Sequence, residues 1–238
     1  PRNREQKLTA LREVLKKEGA DYLLTSKLDD IAWIFNLRGS DVPDNPVFYA
    51  YSLIPAKGNA TLFINEEKVP ADLKEQLAEE GVVLAPYHSV GAALASLSSG
   101  TVLADPEEIN ASLLSRLPEQ ITQLELPNPI ELMKALKTPE EIELISEAML
   151  KDGVALVRFF AWLDRNLGKE EMTEQSLADK LLYFRKSLPG YISLSFETIS
   201  AFGPNAALPH YQPEKTGGAQ IRGNGFLLID SGAQFPEG

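Results

Sequence analysis

The stretch VFYAYSLIPAKGNATLFI, residues 47–64, contains two runs of strand-forming residues joined by a turn. Val47 to Ile54 and Ala60 to Ile64 are rich in branched and aromatic residues, which favour strands. The intervening Lys57-Gly58-Asn59 is typical of a turn. This stretch therefore predicts a β-hairpin inside the first half of the chain.

Helical and strand patterns alternate on both sides of this hairpin. Leu8, Leu11 and Leu15 recur at helical spacing, and the short apolar run 22–24 follows them. Downstream, the pattern predicts helices near 66–80, 89–97 and 106–115, separated by strands near 82–84, 101–103 and 121–126. Such alternation predicts an α/β layer domain with a mixed sheet.

A boundary is predicted at Pro127-Asn128-Pro129, because the two prolines stop both a helix and a strand ladder. Beyond it, Thr138-Pro139-Glu140-Glu141 forms a capping box that predicts a helix of nearly 30 residues. Its apolar residues are expected to face a core: Ile142, Ile145, Met149, Leu156, Phe159, Phe160 and Leu163. A second helix from Thr173 and two strands, 192–201 and 226–229, should follow. The predicted domains are 1–128 and 129–238.

Composition narrows the functional classes. The chain has 238 residues, with 23 Lys plus Arg against 34 Asp plus Glu, for a net charge of −11. This balance argues against broad binding to nucleic acid or to anionic membranes. No apolar stretch is long enough to cross a bilayer, and no signal peptide is visible, so a cytoplasmic location is expected. The chain starts without Met and stops just after a strong strand, which reads like a piece of a longer protein.

Catalytic motifs are few. The absence of Cys excludes a disulfide framework, a thiolate metal site and a Cys nucleophile. The two histidines belong to no zinc-protease H-E-x-x-H motif, and the sequence has neither a G-x-S-x-G nucleophile elbow nor a phosphate-binding loop. The pair Gly223 and Gly225 precedes a strand instead of following one, so a dinucleotide-binding reading fails.

Three residues remain as candidates. Asp230 ends the apolar run 225–229, and such a carboxylate either caps a turn with Ser231-Gly232 or binds a hard cation; the pattern alone favours the turn. His210 lies in a Pro/Gly-rich loop, where an imidazole either serves chemistry or is an ordinary surface residue. Arg38 either presents its guanidinium to a substrate carboxylate or forms an ion pair with Asp41 or Asp44, and the pattern slightly favours the ion pair.

The sequence resembles the Xaa-Pro aminopeptidases (aminopeptidase P) of the long three-domain form, metallopeptidases of the pita-bread, creatinase-like family. The matching stretches occur in the family's order and are Asp29–Val42, Asn45–Phe48, Ser193–Phe196, Thr198–Ser200, Gly203–Asn205, His210-Tyr211 and Leu228–Gln234. The resemblance implies a creatinase-like α/β domain at 1–128 followed by the first half of a pita-bread catalytic domain at 129–238.

The resemblance also implies the chemistry. The family hydrolyses the bond between an N-terminal residue and a following proline with two divalent metals, usually manganese, with zinc as an alternative. By resemblance, Asp230 is a metal ligand and His210 is a catalytic, substrate-side histidine near the scissile carbonyl. Arg38 remains a candidate substrate contact from its own loop position. Two close cations can activate water and polarise the carbonyl together. The enzyme is expected to be a cytoplasmic homodimer acting on peptides with proline second, with no nucleic-acid or membrane partner.

The family's remaining ligands do not occur in this sequence. We therefore expect the 238-residue chain alone to bind no metal pair and to be inactive. Two alternatives stay open: a related pita-bread hydrolase such as a prolidase or a creatinase-like enzyme, and a non-catalytic α/β binding or scaffold module.

Overall fold

The chain forms two compact units in a computed structural model that describes residues 2–214 and 217–238. The first unit comprises residues up to Val42 together with Pro46–Leu136, and the second comprises Pro43–Asn45 together with Lys137–Gly238. The second unit thus begins eight residues beyond the sequence-based boundary at 128/129, because the intervening helix Pro129–Ala135 packs within the first unit. No helix in the described residues is both long and apolar enough to cross a bilayer.

The first unit is built on a six-stranded mixed sheet in the order β4-β3-β2-β1-β5-β6. β1 and β2 pair antiparallel, as do β2 and β3, whereas the other neighbours are parallel. The elements are α1 Arg4–Glu18, β1 Tyr22–Thr25, α2 Leu28–Phe35, β2 Ala50–Pro55, β3 Ala60–Ile64, α3 Ala71–Glu79, β4 Val82–Pro86, α4 Val90–Ala95, β5 Thr101–Ala104, α5 Ala111–Leu114, β6 Thr122–Glu125 and α6 Pro129–Ala135. The predicted mixed α/β class and the hairpin are confirmed, although its first strand begins at Ala50, three residues after the predicted Val47.

Both faces of this sheet are covered. Leu23 and Leu62 belong to one buried cluster, while the adjacent Leu24 and Phe63 belong to another. Successive side chains of a strand point to opposite faces, so the two clusters lie on opposite sides of the sheet. This arrangement explains why the central strands read as continuous apolar runs.

Two predicted helices are shorter than the sequence suggests. The expected helix 66–80 is divided into a 3₁₀ turn at Glu66–Lys68 and α3, because Pro70 is extended and stops the first segment. The expected helix 106–115 is reduced to α5, since the Asp105 carboxylate accepts the Glu107 N–H in a local turn and Asn110 caps α5 instead.

The second unit combines two helices with a two-stranded antiparallel sheet. Its elements are α7 Pro139–Asn166, α8 Glu174–Lys186, β7 Ser193–Phe202 and β8 Leu227–Gln234. The predicted capping box of α7 is present: the Thr138 hydroxyl accepts the Glu141 N–H, and the Glu141 carboxylate accepts the Thr138 N–H. A small core forms around Phe159, Leu177 and Leu181.

The predicted core face of α7 is correct only toward its C-terminal end. Phe159 is completely buried, and Leu156 and Leu163 pack against the same cluster. By contrast, Ile142, Ile145 and Met149 are exposed, and so is Phe160, although it directly follows the buried Phe159. Apolar periodicity marks a helix face that avoids water, but it does not say which part of the face is covered in this chain.

Candidate functional site

Asp230 lies within strand β8 of the second unit, not at a strand end. It pairs in register with Ile199 of β7, and Ser231 and Gly232 continue the strand to Gln234. The expectation that Asp230 terminates the strand is therefore wrong, and a turn cap formed with Ser231 and Gly232 is excluded. The ladder fixes the backbone of Asp230, and its side chain is exposed, so its carboxylate is open to a ligand.

The partner strand is irregular beside Asp230. The register of β7 shifts between Leu194 and Phe196 and again between Phe196 and Ile199, which marks bulges in the strand. A Cβ built on Gly232 would lie 2.1 Å from the Ser195 hydroxyl oxygen, so a larger residue would require that hydroxyl to move. Bulges of this kind re-aim side chains and commonly occur beside functional sites.

A buried arginine braces β8 next to Asp230. Arg185 of α8 is completely buried and forms a two-point ion pair with Asp152 of α7, at 2.7 and 2.8 Å. Its guanidinium also donates to the Ser231 hydroxyl at 3.1 Å and to the Gly232 carbonyl at 3.3 Å. Sequence reasoning missed Arg185, because a basic residue in the last turn of a helix is ordinarily expected to be exposed to solvent.

His210 lies in an exposed turn of the second unit. The loop begins with the 3₁₀ turn Gly203–Ala207, and the Tyr211 N–H closes on the Leu208 carbonyl at 3.3 Å. His210 itself has a φ of 56°, a left-handed conformation that is uncommon for a residue with a side chain. The following Tyr211 hydroxyl donates to Glu174 at 2.6 Å.

Arg38 belongs to the first unit, so the three predicted site residues do not all lie in one unit. Arg38 follows α2 and is exposed. The carboxylate of Asp41, one of its expected ion-pair partners, accepts a hydrogen bond from Lys68 at 2.6 Å and from the Tyr49 N–H at 2.9 Å. These contacts lower the pKa of Asp41, chiefly through the bond from Lys68.

An acidic cluster in the first unit is not a metal site. Among the described residues, only Asp30, Glu108 and Glu131 bring three candidate ligand atoms within 4.8 Å of one another. Lys134 lies 2.6 Å from Asp30, and Lys27 pairs with both glutamates. Burial, only partly offset by Lys134, raises the pKa of Asp30. The lysines thus complete an internal ion-pair network.

For a metal centre, the described residues offer Asp230 as one suitable ligand. A carboxylate oxygen such as that of Asp230 suits a hard divalent cation. However, Asp230 belongs to no group of three candidate ligands in residues 2–214 and 217–238. The described part of the chain by itself therefore does not fit a dinuclear metal centre.

Two family comparisons divide the chain much as its folding units do. Residues 2–141 match the creatinase/prolidase N-terminal domain family, and residues 143–238 match metallopeptidase family M24. The chain is 38% identical to "Xaa-Pro aminopeptidase 1" of Dictyostelium discoideum, over 98% of this chain and 37% of that protein.

Solved structures agree with this assignment. The X-prolyl aminopeptidase of Caenorhabditis elegans, described as a cytosolic enzyme with a di-nuclear active site, superposes with a TM-score of 0.91 at 32% identity. That match covers 100% of this chain and 40% of the other. An Xaa-Pro dipeptidase from Bacillus anthracis, with a TM-score of 0.71 at 20% identity over 98% of this chain and 62% of that one, shows the shared fold.

These matches confirm the predicted fold class, a mixed α/β domain followed by a fragment of a pita-bread domain. The chain spans about two fifths of the length of the aminopeptidases it matches. It belongs to the creatinase/prolidase N-terminal domain family, with a metallopeptidase M24 segment joined to that domain.

Proposed function

We propose that the protein carrying this chain is an Xaa-Pro aminopeptidase, which removes an N-terminal residue that precedes proline. The observation that carries the proposal is the agreement with the C. elegans X-prolyl aminopeptidase over the whole chain, at 32% identity. The confirmed M24 match of residues 143–238 supports a metallopeptidase. The whole protein, not the 238-residue chain, is the proposed catalyst.

Two divalent cations are part of the proposal, manganese being the first choice and zinc the alternative. When bound, such a pair supplies Lewis acidity and lowers the pKa of water. Asp230 is the proposed ligand from this chain, since its side chain is exposed on a strand fixed by β7. The di-nuclear active site described for the C. elegans enzyme supports the number of ions.

His210 is the proposed catalytic histidine and Arg38 a proposed substrate contact. An imidazole can donate to a carbonyl oxygen or hold a proton near neutral pH. This ability suits an Xaa-Pro bond, because the proline nitrogen has no N–H that an enzyme could bind and the carbonyl oxygen remains as the hydrogen-bonding group of that bond. The exposed turn leaves the His210 ring accessible to a peptide.

A cytoplasmic location and a homodimer, implied by the resemblance, belong to the same proposal. The description of the C. elegans enzyme as cytosolic supports the first of these.

The test is a peptide series on the intact protein supplied with manganese. We expect release of alanine from Ala-Pro-Pro and none from Ala-Ala-Ala, with a loss of about a hundredfold or more in His210→Ala. Faster cleavage of the dipeptide Ala-Pro than of Ala-Pro-Pro would favour a prolidase. No cleavage of either proline peptide would favour a non-catalytic module and overturn the proposal.

A further inference from the structure

Glu174 is a completely buried carboxylate that ties together the segments around His210. Its Oε1 accepts the Phe202 N–H at 2.7 Å and the Asn205 side-chain amide at 3.0 Å. Its Oε2 accepts the Tyr211 hydroxyl at 2.6 Å and the Ala219 N–H at 2.8 Å. One side chain thus connects the end of β7, the loop that carries His210 and the segment that leads toward β8.

The hydrogen bonds keep this carboxylate ionised. Burial alone would raise the pKa of Glu174, but donation from Tyr211 and the other donors outweighs it, and the pKa is lowered. Glu174 is also the first residue of α8, where the helix dipole favours a negative charge. In turn, the bond to Glu174 and partial burial raise the pKa of Tyr211 to about 12, so its hydroxyl remains a donor at neutral pH.

The backbone at Gly218 passes close to the Glu174 carboxylate. A Cβ built on Gly218 would lie 2.7 Å from Glu174 Oε2, and Gly218 has a φ of +68°. Glycine is therefore required there by both the close approach and the left-handed backbone. The carboxylate is enclosed on this side as well as by its donors.

His210 depends on this anchor for its position. Within the described residues the His210 imidazole makes no hydrogen bond of its own, so its location depends on the backbone that carries it. The next residue, Tyr211, is fixed by Glu174 directly and also accepts the Asn205 amide at 3.0 Å. We propose that Glu174 is a positioning residue that holds His210 in place through Tyr211 and Asn205; this inference rests on the role proposed above for His210.

The first experiment compares matched variants of the intact protein. Tyr211→Phe removes the hydroxyl donor, and Tyr183→Phe makes the same change on an exposed tyrosine of α8. Glu174→Gln removes the charge, and Glu171→Gln makes the same change at an exposed position nearby. We expect kcat for Ala-Pro-Pro to fall roughly tenfold or more in the first variant of each pair, with KM within about twofold and controls unchanged.

Hydrogen exchange gives a readout independent of activity. Glu174→Gln should speed amide exchange at Phe202 and Ala219, whose N–H groups the carboxylate accepts. Metal content should stay at the wild-type value, since Glu174 is buried behind the loop and is no proposed ligand. In Tyr211→Phe, Glu174 still accepts the N–H groups of Phe202 and Ala219. This variant therefore tests whether Glu174 positions His210 even if Glu174→Gln folds poorly.

A double-mutant cycle then separates positioning from general stability. If Tyr211 acts through His210, adding Tyr211→Phe to His210→Ala should lower kcat no further. Independent, multiplicative losses would overturn the inference, as would kcat values for Tyr211→Phe and Glu174→Gln equal to those of their controls while His210→Ala is impaired. In both cases the proposed function would stand. A wild-type protein that cleaves no Xaa-Pro peptide would instead overturn the proposed function and the inference together.

Discussion

The ion pair between Asp152 and Arg185 allows a quantitative prediction for the second unit. Arg185 is completely buried, whereas the Asp152 side chain is 16% exposed. Replacing Asp152 with alanine leaves a buried guanidinium whose acceptors among residues 2–214 and 217–238 are the Ser231 hydroxyl and the Gly232 carbonyl. Removing one partner of a buried pair costs about 3–5 kcal/mol. Because domains are stable by only about 5–15 kcal/mol, this loss is a large fraction of the total.

Urea unfolding followed by tryptophan fluorescence measures this loss. The assay uses the 238-residue chain, whose two tryptophans are Trp33 in the first unit and Trp162 on α7, so a Trp33→Phe background leaves Trp162 to report on the second unit. Asp152→Ala should lower the free energy of unfolding by about 3 kcal/mol or more. Asp164→Ala, the same change at an exposed position of the same helix, should stay within about 0.5 kcal/mol of the wild type.

The reasoning is refuted if Asp152→Ala costs less than about 1 kcal/mol, the range of an exposed ion pair. Such a result would mean that Ser231, Gly232 and water satisfy Arg185 without the carboxylate. Because Ser231 follows Asp230 directly, the same variant tests whether the buried arginine holds the proposed metal-ligand strand in place.

Further predictions concern packing, polar contacts, pH and activity. Gly39→Ala should destabilise the first unit by about 1–3 kcal/mol in urea unfolding, because the added Cβ would lie 2.7 Å from the Cβ of buried Phe48. Asn128→Ala should lower the free energy of unfolding by about 1–3 kcal/mol for each partner it leaves unpaired, because the buried amide donates to Thr25 and Asp30. A smaller loss in the same assay would show that water replaces the amide. The lowered pKa of Glu174 contributes stability that is present above the ordinary glutamate pKa of about 4.3 and is lost as the pH falls through the folded value, so the stability difference between wild type and Glu174→Gln should shrink from pH 7 toward pH 3. A difference that grows on acidification would contradict that sign. The 238-residue chain alone should release no alanine from Ala-Pro-Pro in manganese, because its described residues place no group of three candidate ligands at Asp230.

The sequence predicted the architecture well where the structure depends on residues a few positions apart. The hairpin at 47–64 and the capping box at Thr138 are confirmed, because turn and cap chemistry depend on residues a few positions apart. The helix predicted across Pro70 is wrong. The apolar periodicity runs through Pro70, but a proline backbone cannot continue a helix from the residues before it.

The candidate site was only partly accessible from sequence. Asp230 was recognised, but its place inside β8 depends on pairing with Ile199, a contact between distant residues. Glu174 and Arg185 resemble ordinary charged residues near the two ends of a helix, and only the fold shows that both are completely buried. The helix predicted from Thr173 matches α8, but nothing local indicated that Tyr211 would reach Glu174.

Metal analysis of the intact protein tests the central claim most directly. After purification and dialysis against manganese-containing and then metal-free buffer, the wild type should retain about two divalent ions per chain. Asp230→Asn should lose at least one of them, while Asp179→Asn, the same change at an exposed position of α8, should lose none. Unchanged metal content in Asp230→Asn, with the protein folded, would contradict the assignment of Asp230 as a ligand and with it the proposed metallopeptidase site.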